Sequence, residues 1–153
     1  MEISLKKASV EDAELIHSMQ IKAFKPLLDK YQDYDYSPAM ETLERTKYRI
    51  SLPAADHWLI LLNDHPVGAI GIGRYDGYCK LKRLFILPEY QNHGYAQQAV
   101  RLAEAQYPSG IRWELDTILQ EEKLCHLYEK LGYRRTDRIR HIKEGMDLVF
   151  FEK

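Results

Sequence analysis

The run Leu84–Ala96, LFILPEYQNHGYA, brings together residues suited to holding an anion. An apolar strand stops at Pro88, which has no N–H to give a ladder; a polar turn follows, and a helix opens through Gly94. The first N–H groups of a helix have no intrahelical acceptor, and the helix dipole draws negative charge toward them. Gly94 lets the backbone come close to a ligand, and Ala96 keeps the next turn small. A pyrophosphate suits such a helix start. A second cluster, Tyr31, Asp33, Tyr34, Asp35 and Tyr36 in YQDYDYSP, mixes acidic and aromatic groups. It reads either as a solvated loop or as a wall for an ammonium group, held by charge and cation–π attraction. A third cluster, Arg134, Arg135, Arg138, Arg140, His141 and Lys143, is basic. It suits a phosphate, an acidic partner, or an edge strand that uses charge to resist pairing.

Periodicity supplies the elements that must position these groups. Ile3, Leu5 and Lys7 alternate with their neighbours as in a strand. Ser9 or Glu11 opens a helix with apolar residues through Phe24, expected to end at Pro26, and Tyr31–Pro38 is a loop. Ser37 as N-cap with Pro38 behind it predicts a second helix to about Leu52. Three strands follow, His57–Leu62, Val67–Arg74 and Tyr78–Leu87, with turns at Asn63–Pro66 and Asp76–Gly77, as in an antiparallel meander. A helix over Gly94–Tyr107 precedes a strand in which Ile111, Trp113, Leu115 and Thr117 alternate with Arg112, Glu114 and Asp116. A further helix, about Glu121–Leu131, carries Leu124, Leu127, Tyr128 and Leu131 on one stripe and stops at Gly132. Tyr133–Arg140 and Met146–Glu152 close the chain as a hairpin around Glu144–Gly145. The order is α+β, with a crossover helix between the third meander strand and its successor.

Composition narrows the function. The 153 residues predict one domain over 1–153, and 45% hydrophobic with 29% charged residues is an ordinary globular profile. Lys plus Arg at 22 against 23 for Asp plus Glu argues against a nucleic-acid partner, which leans on a basic surplus. Two cysteines, Cys79 and Cys125, are too few for a disulfide framework or a four-cysteine zinc site, and the scattered histidines show no metal or triad spacing. Gly68–Gly73 lacks the last glycine of a dinucleotide fingerprint and sits inside a hairpin, and no Walker loop is present. The opening MEISLKK has no long apolar stretch and no run approaches a bilayer span, so a cytoplasmic protein with no membrane partner is expected. The 11 tyrosines against 4 phenylalanines are either drift or the lining of a pocket.

Gln91-Asn92-His93-Gly94-Tyr95-Ala96, after a strand and Pro88, resembles the pyrophosphate loop of the GNAT superfamily of N-acetyltransferases: Arg/Gln, two variable residues, Gly, one variable residue, Gly/Ala. Leu127-Tyr128-Glu129-Lys130-Leu131-Gly132-Tyr133 resembles that family's second signature, and the order of elements is similar over essentially the whole chain. The resemblance implies a mixed, mostly antiparallel twisted sheet flanked by helices, with a central splayed parallel strand pair. It implies acetyl-CoA as co-substrate, no metal, and direct transfer of acetyl to an amine of a small molecule or peptide, by a monomer or homodimer. Phe85, Ile86 and Leu87 then face the pantetheine arm, and the amides of Gln91, Asn92, His93, Gly94, Tyr95 and Ala96 hold the pyrophosphate. Tyr128 matches the family's proton donor. Relatives place a general base on the strand before the loop, where this chain has Lys80, Lys82 and Arg83, so Glu114 and Asp116 are the alternatives. The family's acceptor pocket corresponds to Tyr31, Asp33, Tyr34, Asp35 and Tyr36 with the final hairpin. A CoA-binding module without activity, or an enzyme acting on protein lysines or N-termini, is the alternative.

Overall fold

Consecutive residues of a strand point to opposite faces, and the computed structural model, which describes residues 2–153, uses that alternation to build two cores on one sheet. The chain runs β1 (Ile3–Lys7), α1 (Ala13–Tyr31), α2 (Leu43–Ser51), β2 (Ala55–Leu62), β3 (His65–Tyr75), β4 (Tyr78–Ile86), α3 (Tyr95–Glu104), β5 (Arg112–Ile118), α4 (Glu122–Lys130), β6 (Arg134–Lys143) and β7 (Met146–Glu152). Leu59, Ala69 and Phe85 pack with Ile16 and Met19 of α1 and Ile50 of α2. Their chain neighbours Ile60, Ile70 and Ile86 pack with Ala99 and Val100 of α3 and Cys125 and Tyr128 of α4. Helices α1 and α2 therefore cover one face, and α3 and α4 the other. Strand β3 is buried from Val67 through Gly73, which is why it reads as an unbroken apolar and glycine run.

The seven strands lie in the order β1-β2-β3-β4-β5-β7-β6. Every pairing is antiparallel but one: β4 and β5 are parallel neighbours. Their ladder holds only Tyr78–Arg112, Cys79–Trp113 and Lys80–Glu114, and then the strands part. Beside this opening the β3–β4 register slips, from Gly71–Arg83 to Ile72–Leu81, leaving Lys82 as an extra residue. Such a bulge bends its strand and re-aims the following side chains. The expected mixed sheet with a splayed parallel pair is the architecture observed.

Local boundaries depart from expectation in three places. Helix α1 passes through Pro26 and ends at Tyr31, where Gln32 is left-handed (φ 54°). Pro26 and Lys22 both lie on the exposed side, so the carbonyl that loses its donor faces water, while Ala23 and Phe24 keep the helix against the sheet. Tyr31 is therefore helical rather than part of the loop. Ser37 caps only a 3-10 turn, Pro38–Met40; the second helix starts at Leu43, with the Thr42 hydroxyl accepting from the Arg45 N–H at 3.1 Å. Between them Glu41 is extended, which turns its carboxylate toward partners on α2 and β4. The β2–β3 turn is only Asn63-Asp64, both at positive φ (49° and 68°), and Pro66 sits inside β3 beside a register slip with β2.

Gly68 shows how tightly β4 is held from behind. A Cβ there would lie 2.1 Å from the Phe85 carbonyl oxygen, closer than any side chain tolerates. Gly68→Ala should destabilise the fold by about 1–3 kcal/mol as the two strands are forced apart, read as a lower urea midpoint; an unchanged midpoint would show that β3 and β4 can separate freely.

Candidate functional site

The cleft begins where the β4–β5 ladder stops. Past Lys80, the edge of β4 from Leu81 to Ile86 has no strand partner on the β5 side. On the other side β4 stays paired to β3, and the Leu87 N–H donates to the Val67 carbonyl at 2.8 Å. Phe85 is buried toward α1, edge-on to Phe24 at 5.7 Å between ring centroids; Ile86 is buried on the opposite face and Leu87 is half-buried. At the far end of this edge the Gln91 side-chain amide donates to the Ile86 carbonyl at 2.8 Å, tying the loop to the strand.

The loop delivers the chain to α3 through two left-handed residues, Asn92 (φ 66°) and Gly94 (φ 79°). No side chain caps α3, its first turn carries no acidic residue, and nothing stands within 4 Å of where a Gly94 Cβ would be. His93 stacks on Tyr95, with ring centroids 5.4 Å apart. A helix start without a side-chain cap, an open approach and no acidic residue in the first turn fit a phosphate chemically. The start of α3 and the open strand edge are thus joined through the Leu87–Gly94 segment.

Helix α4 brings Tyr128 within electrostatic reach of Asp116, which stands past the last β4–β5 pair. Its ring is buried edge-on to Tyr133 (6.1 Å) and beside Phe151 (6.2 Å). Among the described residues its hydroxyl has no hydrogen-bond partner, yet it is not sealed from the surface. Burial pushes its pKa up, and the charges of Asp116 and Cys125 push the same way, so the phenol keeps its proton at neutral pH. Asp116 lies two residues beyond the last β4–β5 pair and forms an ion pair with Lys80 at 3.0 Å. Glu114 sits at the last pair and is held by Arg112 at 2.7 Å. Both carboxylates project on the α1–α2 side, because Trp113 and Leu115 fill the core under α3 and α4. A cavity of about 250 Å³ opens beside them, bounded by Lys80, Thr136, Arg138 and Phe150.

The acidic, tyrosine-rich segment divides. The Tyr31 hydroxyl donates to Glu121 Oε2 at 2.5 Å, and Lys30 donates to the same atom at 2.6 Å, tying α1 to the start of α4. Asp33 is buried, and its carboxylate accepts the Tyr36 N–H at 3.3 Å within its own turn. Tyr34, Asp35 and Tyr36 are exposed. Arg140 of β6 lies 5.8 Å from the Tyr36 ring and Lys143 donates to the Gln32 carbonyl at 3.3 Å, so this segment and the final hairpin do meet.

Sequence reading missed the polar cluster between α1, α2 and the bulge. The Glu41 carboxylate accepts five hydrogen bonds: Arg49 Nε (2.8 Å) and Nη2 (2.7 Å), Arg83 Nη1 (2.8 Å), Thr46 Oγ1 (2.6 Å) and Gln20 Nε2 (3.2 Å). Burial alone would raise its pKa; the hydrogen bonds from Arg49 and Thr46 and the two guanidinium charges hold it far below the carboxylate range. Buried His57 stands beside the cluster, with Nε2 unpartnered among the described residues. Burial first, and then the Arg49 and Arg83 charges, lower its pKa to about 4. These residues come from four elements and no spacing links them. Only the unusual sight of Arg83 inside an apolar strand hinted at a buried partner.

Among the described residues no group of three or more His, Cys, Asp or Glu could hold a metal ion, and no helix is long and apolar enough to cross a membrane. The acetyltransferase (GNAT) family profile matches residues 21–133. No curated protein matches the sequence. Solved structures match the fold. The ribosomal-protein-S18-alanine N-acetyltransferase of Escherichia coli superposes with a TM-score of 0.77 at 13% identity, over 99% of this chain and 92% of that one. Spermidine N-acetyltransferase of Vibrio cholerae, in complex with CoA and spermine, gives 0.76 at 15%, over 99% and 94%. PaiA N-acetyltransferase of Thermoplasma acidophilum, in complex with coenzyme A, gives 0.71 at 18%, over 100% and 99%. At these identities the likeness is one of fold.

His57 yields a pH dependence. Its folded pKa of about 4 lies below the unfolded value of 6.5, so the unfolded chain binds the proton more readily. Its contribution to stability is complete above pH 6.5 and falls as pH drops toward 4. Denaturant titrations across that range should show this loss in the native chain and a flatter profile in His57→Gln; equal slopes would place the titration elsewhere.

Proposed function

The chain belongs to the acetyltransferase (GNAT) family, a family of acyltransferase enzymes, and from that premise we propose that it moves the acetyl group of acetyl-CoA directly onto a primary amine of a small molecule or peptide. The observation that carries this reading is the continuity of the parted β4–β5 edge with the uncapped start of α3, with the protonated Tyr128 phenol at the point of parting. The amides from Gln91 through Ala96 hold the pyrophosphate, and the free edge at Phe85–Leu87 orients the pantetheine arm. Acetyl-CoA, once bound, supplies an acetyl group activated as a thioester.

The amine forms a C–N bond to the acetyl carbon as the C–S bond breaks. Asp116 takes the proton the amine must lose, directly or through one water, and Tyr128 gives its phenolic proton to the departing sulfur. Glu114, held by Arg112 outside the parted region, keeps the strand end charged and paired instead. Tyr34, Asp35 and Tyr36 with the β6–β7 hairpin form the outer rim through which the acceptor arrives. Spermidine and a ribosomal-protein alanine, the acceptors named for two of the similar structures, are both primary amines, which supports the class and not a choice within it.

Tyr128→Phe should lower the acetylation rate by about 100-fold or more while acetyl-CoA affinity stays within about threefold, the pattern of a lost general acid. Equal rates for the two proteins would remove Tyr128 from the chemistry. Gly94→Val forces a β-branched residue into a left-handed conformation at the phosphate loop, so CoA affinity should fall about tenfold or more by calorimetric titration; retained affinity would place the pyrophosphate elsewhere.

A further inference from the structure

The proposed transfer leaves unused the charge built behind the β4 bulge. One carboxylate, Glu41, faces two guanidiniums, Arg49 and Arg83, and Gln20 Oε1 accepts from both at 3.1 and 3.2 Å. His57 adds no further positive charge, because it stays neutral at working pH. The cluster therefore carries one surplus positive charge in a largely buried setting, where charge is costly unless paired.

Arg83 stands on the stretch of β4 that has parted from β5 and is the more exposed of the two guanidiniums. Both of its bonds to protein are made by Nη1, and its remaining N–H groups, on Nε and Nη2, have no partner among the described residues. They are not sealed off either, since the one buried unpartnered side-chain nitrogen or oxygen is His57 Nε2. The bulge at Lys82 turns Arg83 onto the α1–α2 side, the side on which Asp116 stands across the parted strands. Lys82 is exposed and ion-paired to no carboxylate among the described residues; it lies over the Tyr75 ring at 5.3 Å. Arg138 likewise lies 4.1 Å from the Phe150 ring beside the cavity, without an acidic partner. Of the two acids that suited an ammonium, Asp33 closes its own turn and Asp35 stands exposed at the outer rim, while Asp116 inside the parted strands is paired to Lys80.

We propose that Arg83 is a specificity-determining residue that receives a carboxylate of the acceptor through its free Nε and Nη2 donors, so that the acceptor is an amine bearing its own carboxylate, an amino acid in chemical class. The guanidinium fork matches a carboxylate in a two-bond geometry. A single surplus charge matches a carboxylate better than a phosphate monoester, which carries nearly two. A second ammonium on the acceptor would meet the guanidinium with like charge. The inference rests on the acetyl-transfer reading and names the substrate class for that site.

The test measures thiol release from acetyl-CoA by the full chain, using a panel of α-amino acids, the carboxamide of each, and spermidine. The best amino acid should exceed its own carboxamide in kcat/KM by about 30-fold, the scale of a charged hydrogen-bonded contact. In Arg83→Gln that ratio should collapse toward one, while Arg83→Lys, which keeps a cation beside Glu41, should recover part of it. Thermal unfolding of each variant identifies one that has failed to fold, and Arg83→Lys then carries the comparison. Spermidine or carboxamides turned over as well as amino acids would overturn the carboxylate assignment and leave acetyl transfer standing. An Arg83→Gln loss shared equally by all acceptors would reduce Arg83 to a structural residue. No turnover of any amine would overturn the transfer reading and this inference together.

Discussion

A β-ladder that ends early governs the rest of the molecule. Strands β4 and β5 pair at three positions and then part, which leaves a row of backbone N–H and C=O groups with no strand partner. Such groups are costly when dry, so an unpaired edge inside a sheet has to meet water or a ligand. The cleft lies inside the fold because the parting falls between the two central strands, with helices over both faces. Tyr128 from one face and Asp116 from the other can then reach a common gap.

The bulge at Lys82 is the local device that accompanies the parting, and the Glu41 cluster braces it from behind. One carboxylate joins α1 through Gln20, α2 through Thr46 and Arg49, and β4 through Arg83. Breaking a buried ion pair by removing one partner typically costs about 3–5 kcal/mol, since the other charge is left unsatisfied. Shape and charge behind the parted strands are therefore coupled: the carboxylate that braces the bulge also holds the two guanidiniums beside it. The β3 glycines let this arrangement close up, with Gly68 against the Phe85 carbonyl and Gly71 beside the His57 ring.

Much of this was legible before any coordinates. Alternating runs and turn residues located every strand and helix, because burial of one face imposes a period of two or 3.6 residues. The glycine-entered start of α3 and the inward face of Tyr128 were legible for a similar reason: a glycine before a helix, and a tyrosine on an apolar stripe, are local patterns. Boundaries failed where tertiary contacts outvoted local signals. Pro26 did not end α1, since Ala23 and Phe24 hold the helix down before it and Lys30 and Tyr31 tie it to Glu121 after it. Ser37 did not start α2, since Glu41 is pulled out of helical geometry by two arginines.

The sequence by itself determined the element order, the glycine-entered start of α3 and the apolar stripe of α4 that carries Tyr128. All of these rest on interactions within a few residues of chain, which spacing encodes directly. Only the tertiary structure decided where the β4–β5 ladder stops, that Asp116 rather than Glu114 stands past that point, and that Asp33 is spent on its own turn. It alone brought Gln20, Glu41, Arg49 and Arg83 together. Those contacts join residues up to 63 positions apart in the chain, and a buried charge finds its partner by proximity in space, for which spacing carries no signal.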